Sequence, residues 1–140
     1  MKQISSRFSM AVHTLTLIAV APSECTGDFI AGSVNTNPVV VRRIMSMLKK
    51  AGLIDVRAGV GGASLLKEPS AITLLDVYKA VDVVENGQLF NIHEKPNILC
   101  PVGRTIEDSL SAELQEAQAA MEERLNKTTI QMMIEKAHVN

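Results

Sequence analysis

Tryptophan is absent from this chain, and its 140 residues hold one tyrosine and three phenylalanines. A nucleic-acid platform built on stacked aromatic rings is excluded by that count, and the core must be aliphatic, with seven methionines to fill its gaps. Two cysteines, Cys25 and Cys100, cannot make a disulfide framework or a four-cysteine metal site, which points to a reducing compartment. No apolar run reaches the ~18 residues of a membrane span. The stretch Met10–Ala21 imitates a secretory leader, but it contains His13, Thr14 and Thr16 and is followed by Pro22, so it reads as a core helix. A net charge of −1 argues against a broadly basic nucleic-acid binder.

What is present is unevenly placed. Residues 1–67 carry a formal charge of +5 and residues 68–140 carry −6. That asymmetry suggests a polyanion-binding half joined to something else. Apolar residues make up 46% of the chain, enough for one packed domain with an appended element.

Helical spacing of Phe8, Ala11, Val12, Leu15, Ile18 and Ala19 predicts a first helix, capped by Ser5 or Ser6 and ended by Pro22. Thr26 caps a short second helix holding Phe29, Ile30 and Val34. Asn37 caps a third, with Pro38 in its first turn, where a missing N–H costs nothing. That helix runs to about Lys50 and stops at Ala51-Gly52. Residues 53–57 and 63–66 read as two strands joined through Gly59, Gly61 and Gly62. Residues 72–81 form a further helix with Thr73 as its cap, and 85–101 are irregular. From Val102, an apolar stripe through Ile106, Leu110, Leu114, Ala117, Met121, Leu125, Thr128 and Met132 predicts one helix of about 30 residues, far beyond the ~11–12 usual in globular domains. Such a stripe needs a partner, and dimerisation supplies it.

Short helix, turn, longer helix and glycine-tipped hairpin is the order of a winged helix-turn-helix. The expected fold is mainly α with a small two-stranded β wing. The DNA-binding domain spans 1–83, with the helix-turn-helix at about 26–50 and the wing at about 53–66. A connector at 84–101, which would hold a sensor, leads to a dimerisation helix at 102–137. In the third helix Val41, Ile44, Met45 and Leu48 point inward, leaving Val39, Val40, Arg42, Arg43 and Ser46 for bases. Asn37, Lys49, Lys50, Arg57 and Gly59 complete the expected DNA contacts, the lysines on the backbone.

Residues 39–44, 48–54, 57–65 and 72–81 (the last reading ITLLDVYKAV) resemble the Rrf2 family of bacterial transcription regulators, and the likeness covers nearly the whole chain. Within it, SVNTNPVVVRR and CPVG are shared with one subgroup. The resemblance implies a cytoplasmic homodimer whose long helices cross and pack on the partner. It also implies that Val39, Val40, Arg42 and Arg43 face the bases of double-stranded operator DNA and that the wing reaches the minor groove. Two departures stand in the wing, where Ala58 replaces a glycine and Ala63 an aromatic residue. Cluster-binding members carry three cysteines before the long helix; only Cys100 stands there, so neither an iron–sulfur cluster nor any other cofactor is expected.

The other readings are weaker. Gly59-Val60-Gly61-Gly62 joins two strands and is no dinucleotide fingerprint. His93, Glu94 and Cys100 lack a spacing that specifies a metal site, and none is expected. A thiol enzyme using Cys100 and His93 would need an orienting residue and an oxyanion hole, which nothing supplies. A pure dimerisation module would not need six basic residues against one acid across 36–67. Cys100, with Cys25 as a partner thiol across the dimer, is the redox candidate, and an unknown small molecule or oxidant is the expected effector. The reading is of a regulator, a repressor by expectation, and not an enzyme.

Overall fold

The computed structural model describes residues 6–57, 61–81, 90 and 92–137. Helix α1 (Arg7–Val20) leads through a 3-10 turn, Pro22–Glu24, into α2 (Gly27–Val34) and α3 (Pro38–Lys50). Strands β1 (Ile54–Val56) and β2 (Ala63–Leu65) pair antiparallel with Ile54 opposite Leu65 and Val56 opposite Ala63. A second 3-10 turn, Pro69–Ala71, precedes α4 (Leu74–Ala80), and α5 (Pro101–Leu125) and α6 (Ile130–Ala137) complete the order. No described helix is long and apolar enough to cross a membrane.

Capping chemistry fixes these boundaries. The Thr26 hydroxyl accepts from the Phe29 amide at 3.1 Å, and Asn37 Oδ1 accepts from the Val40 amide at 3.0 Å. Asn35 takes the left-handed conformation at φ 66°, which an asparagine tolerates, and turns the chain between α2 and α3. Thr73 and Asp76 form a reciprocal capping box at the start of α4. At α1 the expectation changes: Ser6 occupies the cap position but its side chain makes no capping bond, its backbone being already helical, while Ser5 lies outside the described residues.

Leu15, Ile18, Ile30, Val41, Ile44, Leu48, Ile54, Ile72 and Val77 form a single aliphatic core from α1, α2, α3, β1 and α4. Its only buried polar side chain among the described residues, Thr14, donates back to the Met10 carbonyl at 2.8 Å. Tyr78 on α4 packs edge-on against Phe8, with ring centroids 6.3 Å apart.

The single helix expected over 102–137 is instead two. Helix α5 ends at Leu125, and Asn126-Lys127-Thr128 turn the chain back on the domain. Thr129 pairs with Thr73 in an isolated antiparallel bridge; the Leu74 amide donates to Thr128 O, and the Ile130 amide to Ile72 O. Thr129 Oγ1 then accepts from the Met132 amide, starting a new helix. Its apolar face buries Ile130 and Ile134 against the core beside α1. Thr128 and Met132 therefore do not continue the stripe of α5; the aliphatic core captures this segment. Ile130 is fully buried, so Ile130→Ala should lower stability by about 2–5 kcal/mol in urea unfolding. A loss under 1 kcal/mol would show that α6 does not belong to this core.

Candidate nucleic-acid interface

Helix α3 has two faces. Val41, Ile44, Met45 and Leu48 are buried, while Arg42, Arg43, Ser46, Lys49 and Lys50 are exposed, and Val39 is 56% exposed. Thirteen residues give a rod of about 20 Å, which a DNA major groove admits. Lys49 and Lys50 occupy the last turn, where they also complement the helix dipole. Val40, assigned to bases by sequence, is half-buried and packs against the core. Asn37 is exposed but its carbonyl serves the cap.

Beside α3 stands the wing. Gly61 and Gly62 have φ of 77° and 89°, and both press on the entry to α2. A Cβ at Gly61 would come within 3.0 Å of Thr26 Cγ2, and one at Gly62 within 3.1 Å of the Pro22 carbonyl. Any larger residue would be strained and would push the wing off the 3-10 turn. Arg57 is exposed just after β1, and its amide donates to Gly62 O at 3.2 Å. Gly59 lies outside the described residues.

Between wing and helix runs a groove of about 460 Å³. Arg42, Ser46 and Lys49 line one wall, Thr26, Gly27 and Asp28 the start of α2, and Val56, Gly61 and Gly62 the wing. Arg42 passes close to α2, its Cγ 3.9 Å from where a Gly27 Cβ would stand. So the structure gathers Arg42, Ser46, Lys49 and the wing root on one concave face. Thr26, Gly27 and Asp28 were not expected there as site residues; the capping signal placed the helix start without revealing which way it faces.

The two thiols are in opposite settings. Cys25 lies on the groove but is 1% exposed, and burial, then the charge of Glu24, push its thiol up. Cys100 is exposed at the head of α5, where the backbone amides of Gly103 and Val102 hold its thiol below the ordinary cysteine value. Gly103 is obligatory for that packing: a Cβ there would collide with the Asn97 carbonyl. Cys25 thus sits where a bond to another subunit would require the core to open. Among the described residues no group of three or more His, Cys, Asp or Glu side chains is arranged to hold a metal ion.

The dimerisation candidates lie along α5. Not one residue of this helix is buried: Ile106, Leu110, Leu114, Met121 and Leu125 are half-buried, and Val102 and Ala117 are exposed. Just ahead of it Ile98 and Leu99 are exposed, Leu99 at 87%. Separately, an apolar groove of about 690 Å³, lined by Phe8, Val12, Leu17, Val20 and Met133 among others, opens between α1 and α6.

The model of the Rrf2 family, described as an iron-dependent transcriptional regulator, matches residues 4–136. YwnA of Bacillus subtilis (strain 168), assigned as an HTH-type transcriptional regulator, is 50% identical over 122 residues, covering 87% of this chain and 90% of YwnA. A crystal structure described as that of a DNA-binding protein is 42% identical, with a TM-score of 0.74, covering 92% of this chain and 99% of that one. The structure of CymR, the global cysteine regulator of B. subtilis, shares the fold at 20% identity and a TM-score of 0.70, with both chains covered in full. These matches favour neither a thiol enzyme nor a dimerisation module, and the chain belongs to the Rrf2 family of winged-helix transcriptional regulators.

Proposed function

We propose that this chain represses transcription in the cytoplasm as a homodimer, each copy placing α3 in the major groove of one half of a near-palindromic operator. The observation that carries the reading is the outward face of α3. Arginines 42 and 43, Ser46 and Lys49 are exposed there while the opposite face is locked in the core. Arg42 and Arg43 can each pair with guanine in bidentate fashion. Lys49, Lys50 and Arg57 are suited to phosphates, and the wing to the neighbouring minor groove. Two-fold symmetry would space the half-sites by about one helical turn of ~10 base pairs or a multiple. Arg43→Ala should weaken operator binding by about 1–3 kcal/mol and relax specificity, whereas Lys49→Ala should weaken all sequences alike and lower the salt slope by about one. Unchanged operator affinity in both Arg42→Ala and Arg43→Ala would remove α3 as the reader.

A 25-residue helix with no fully buried residue and an apolar stripe left partly exposed supports α5 as the dimer contact. Its acidic residues, among them Glu107, Glu113, Glu116 and Glu123, flank the stripe and leave the basic face of the protein to DNA. Ile106→Glu should convert the dimer to a folded monomer in sedimentation, because Ile106 is no part of the core. A variant that remains dimeric would exclude the α5 contact. A point substitution leaves Ile130 and Ile134 in the domain core, which loss of the whole segment from 102 onward would remove.

The donor set does not fit an iron–sulfur cluster. Of two cysteines in the chain, Cys25 is inside the core and Cys100 alone stands at the head of α5, whereas clusters take four ligands, mostly thiolates. Cys100 supports a thiol response instead. The Gly103 and Val102 amides enlarge its thiolate fraction near neutral pH, and thiolate is the reactive form. A small electrophile or peroxide would therefore reach Cys100 first. Iodoacetamide at neutral pH should label Cys100 before Cys25, read by peptide mass spectrometry, and the operator affinity of Cys100→Ser should not respond to peroxide. Equal or faster labelling of Cys25, or an oxidant response shared by parent and variant, would contradict this assignment.

A further inference from the structure

The end of α3 that leads into DNA in the proposed reading is almost without hydrogen-bonding side chains. Its first three residues are Pro38, Val39 and Val40. The polar residue that adjoins them, Asn37, has its carbonyl oxygen tied to the Val40 amide at 3.0 Å. An asparagine reads adenine by offering carbonyl and amide together, so the cap bond takes Asn37 out of that contact. Val40 is turned into the core, and Val39 projects outward at 56% exposure. Lone exposed valines are ordinary on protein surfaces. This one lies on the same helical face as Arg42 and Arg43, three and four residues on, and opens the row of side chains that would face base edges. The only apolar group on a base edge of the major groove is the thymine 5-methyl.

We propose that Val39 is a specificity-determining residue that recognises the 5-methyl group of a thymine in each operator half-site. The inference rests on the placement of α3 in the major groove. Val39 stands about 4.5–6 Å along the helix axis from the arginines. With base pairs ~3.4 Å apart, the thymine should lie one or two steps from the guanine that Arg42 or Arg43 reads.

The test uses the full-length protein and an operator selected by it from a random DNA pool. Each thymine of one half-site is replaced in turn by deoxyuridine, which pairs identically but lacks the methyl. One position per half-site should raise Kd by about three- to tenfold, the range expected for one buried methyl in a close contact. In Val39→Ala, whose alanine is a better helix former on an exposed face, affinity for the thymine operator should fall to the parent's value on uracil, and the uracil effect should vanish. If the parent selects an operator but no uracil weakens it, or if the effect persists in Val39→Ala, Val39 is not the reader, and α3 keeps its arginine contacts. If no DNA sequence is selected at all, both this inference and the placement of α3 fail together.

Discussion

The apolar stripe of α3 fixes everything that faces outward from it. Val41, Ile44, Met45 and Leu48 lie one or two per turn on a single side and are buried against α1, α2 and α4. Helical geometry then determines that residues 39, 42, 43, 46 and 49 point the other way. Deleting any one of these buried groups would cost a few kcal/mol, so the basic face cannot roll inward without unfolding the domain. A basic face built in this way is rigid because its back is the core.

The wing depends on the same support. Two strands of three residues each are too short to stand alone. They are held because Leu53, Ile54 and Ala63 are buried in the core and because Gly62 packs on the Pro22 carbonyl. Ala63 is itself buried, at 2% exposure, so the start of β2 is part of the core. The groove that holds Arg42, Ser46 and Lys49 is therefore bordered by α3, the start of α2 and the wing, and the wing rests on the turn Pro22–Glu24 that leads into α2.

Much of this architecture was legible in the sequence because local chemistry specifies it. Thr26, Asn37-Pro38 and Thr73 with Asp76 mark helix starts through bonds made within three residues, and Gly52 marks a stop through its positive φ. The carboxyl-terminal break was not legible. The spacing of Leu125, Thr128 and Met132 is compatible with one continuous helix. What interrupts it is the tertiary bridge between Thr129 and Thr73 and the pull of Ile130 and Ile134 into the core. The run Asn126-Lys127-Thr128-Thr129 holds three poor helix formers, Asn126, Thr128 and Thr129, which weaken the helix there but do not by themselves end it. Of the site, the outward residues of α3 followed from periodicity, while the half-burial of Val40 and the approach of Gly27 to Arg42 depend on how α2 crosses α3. The contrast between a buried Cys25 and an exposed Cys100 likewise comes from packing, and spacing could not supply it.

Hydrogen–deuterium exchange of the full chain, with and without its operator, addresses the central claim most directly. Engagement by α3 and the wing predicts slowed exchange over residues 38–50 and 54–65, together with the start of α2 at Gly27, and no change along α1 or α6 relative to the free protein. Protection confined to α1, α5 and α6, with α3 exchanging as it does in free protein, would contradict the account.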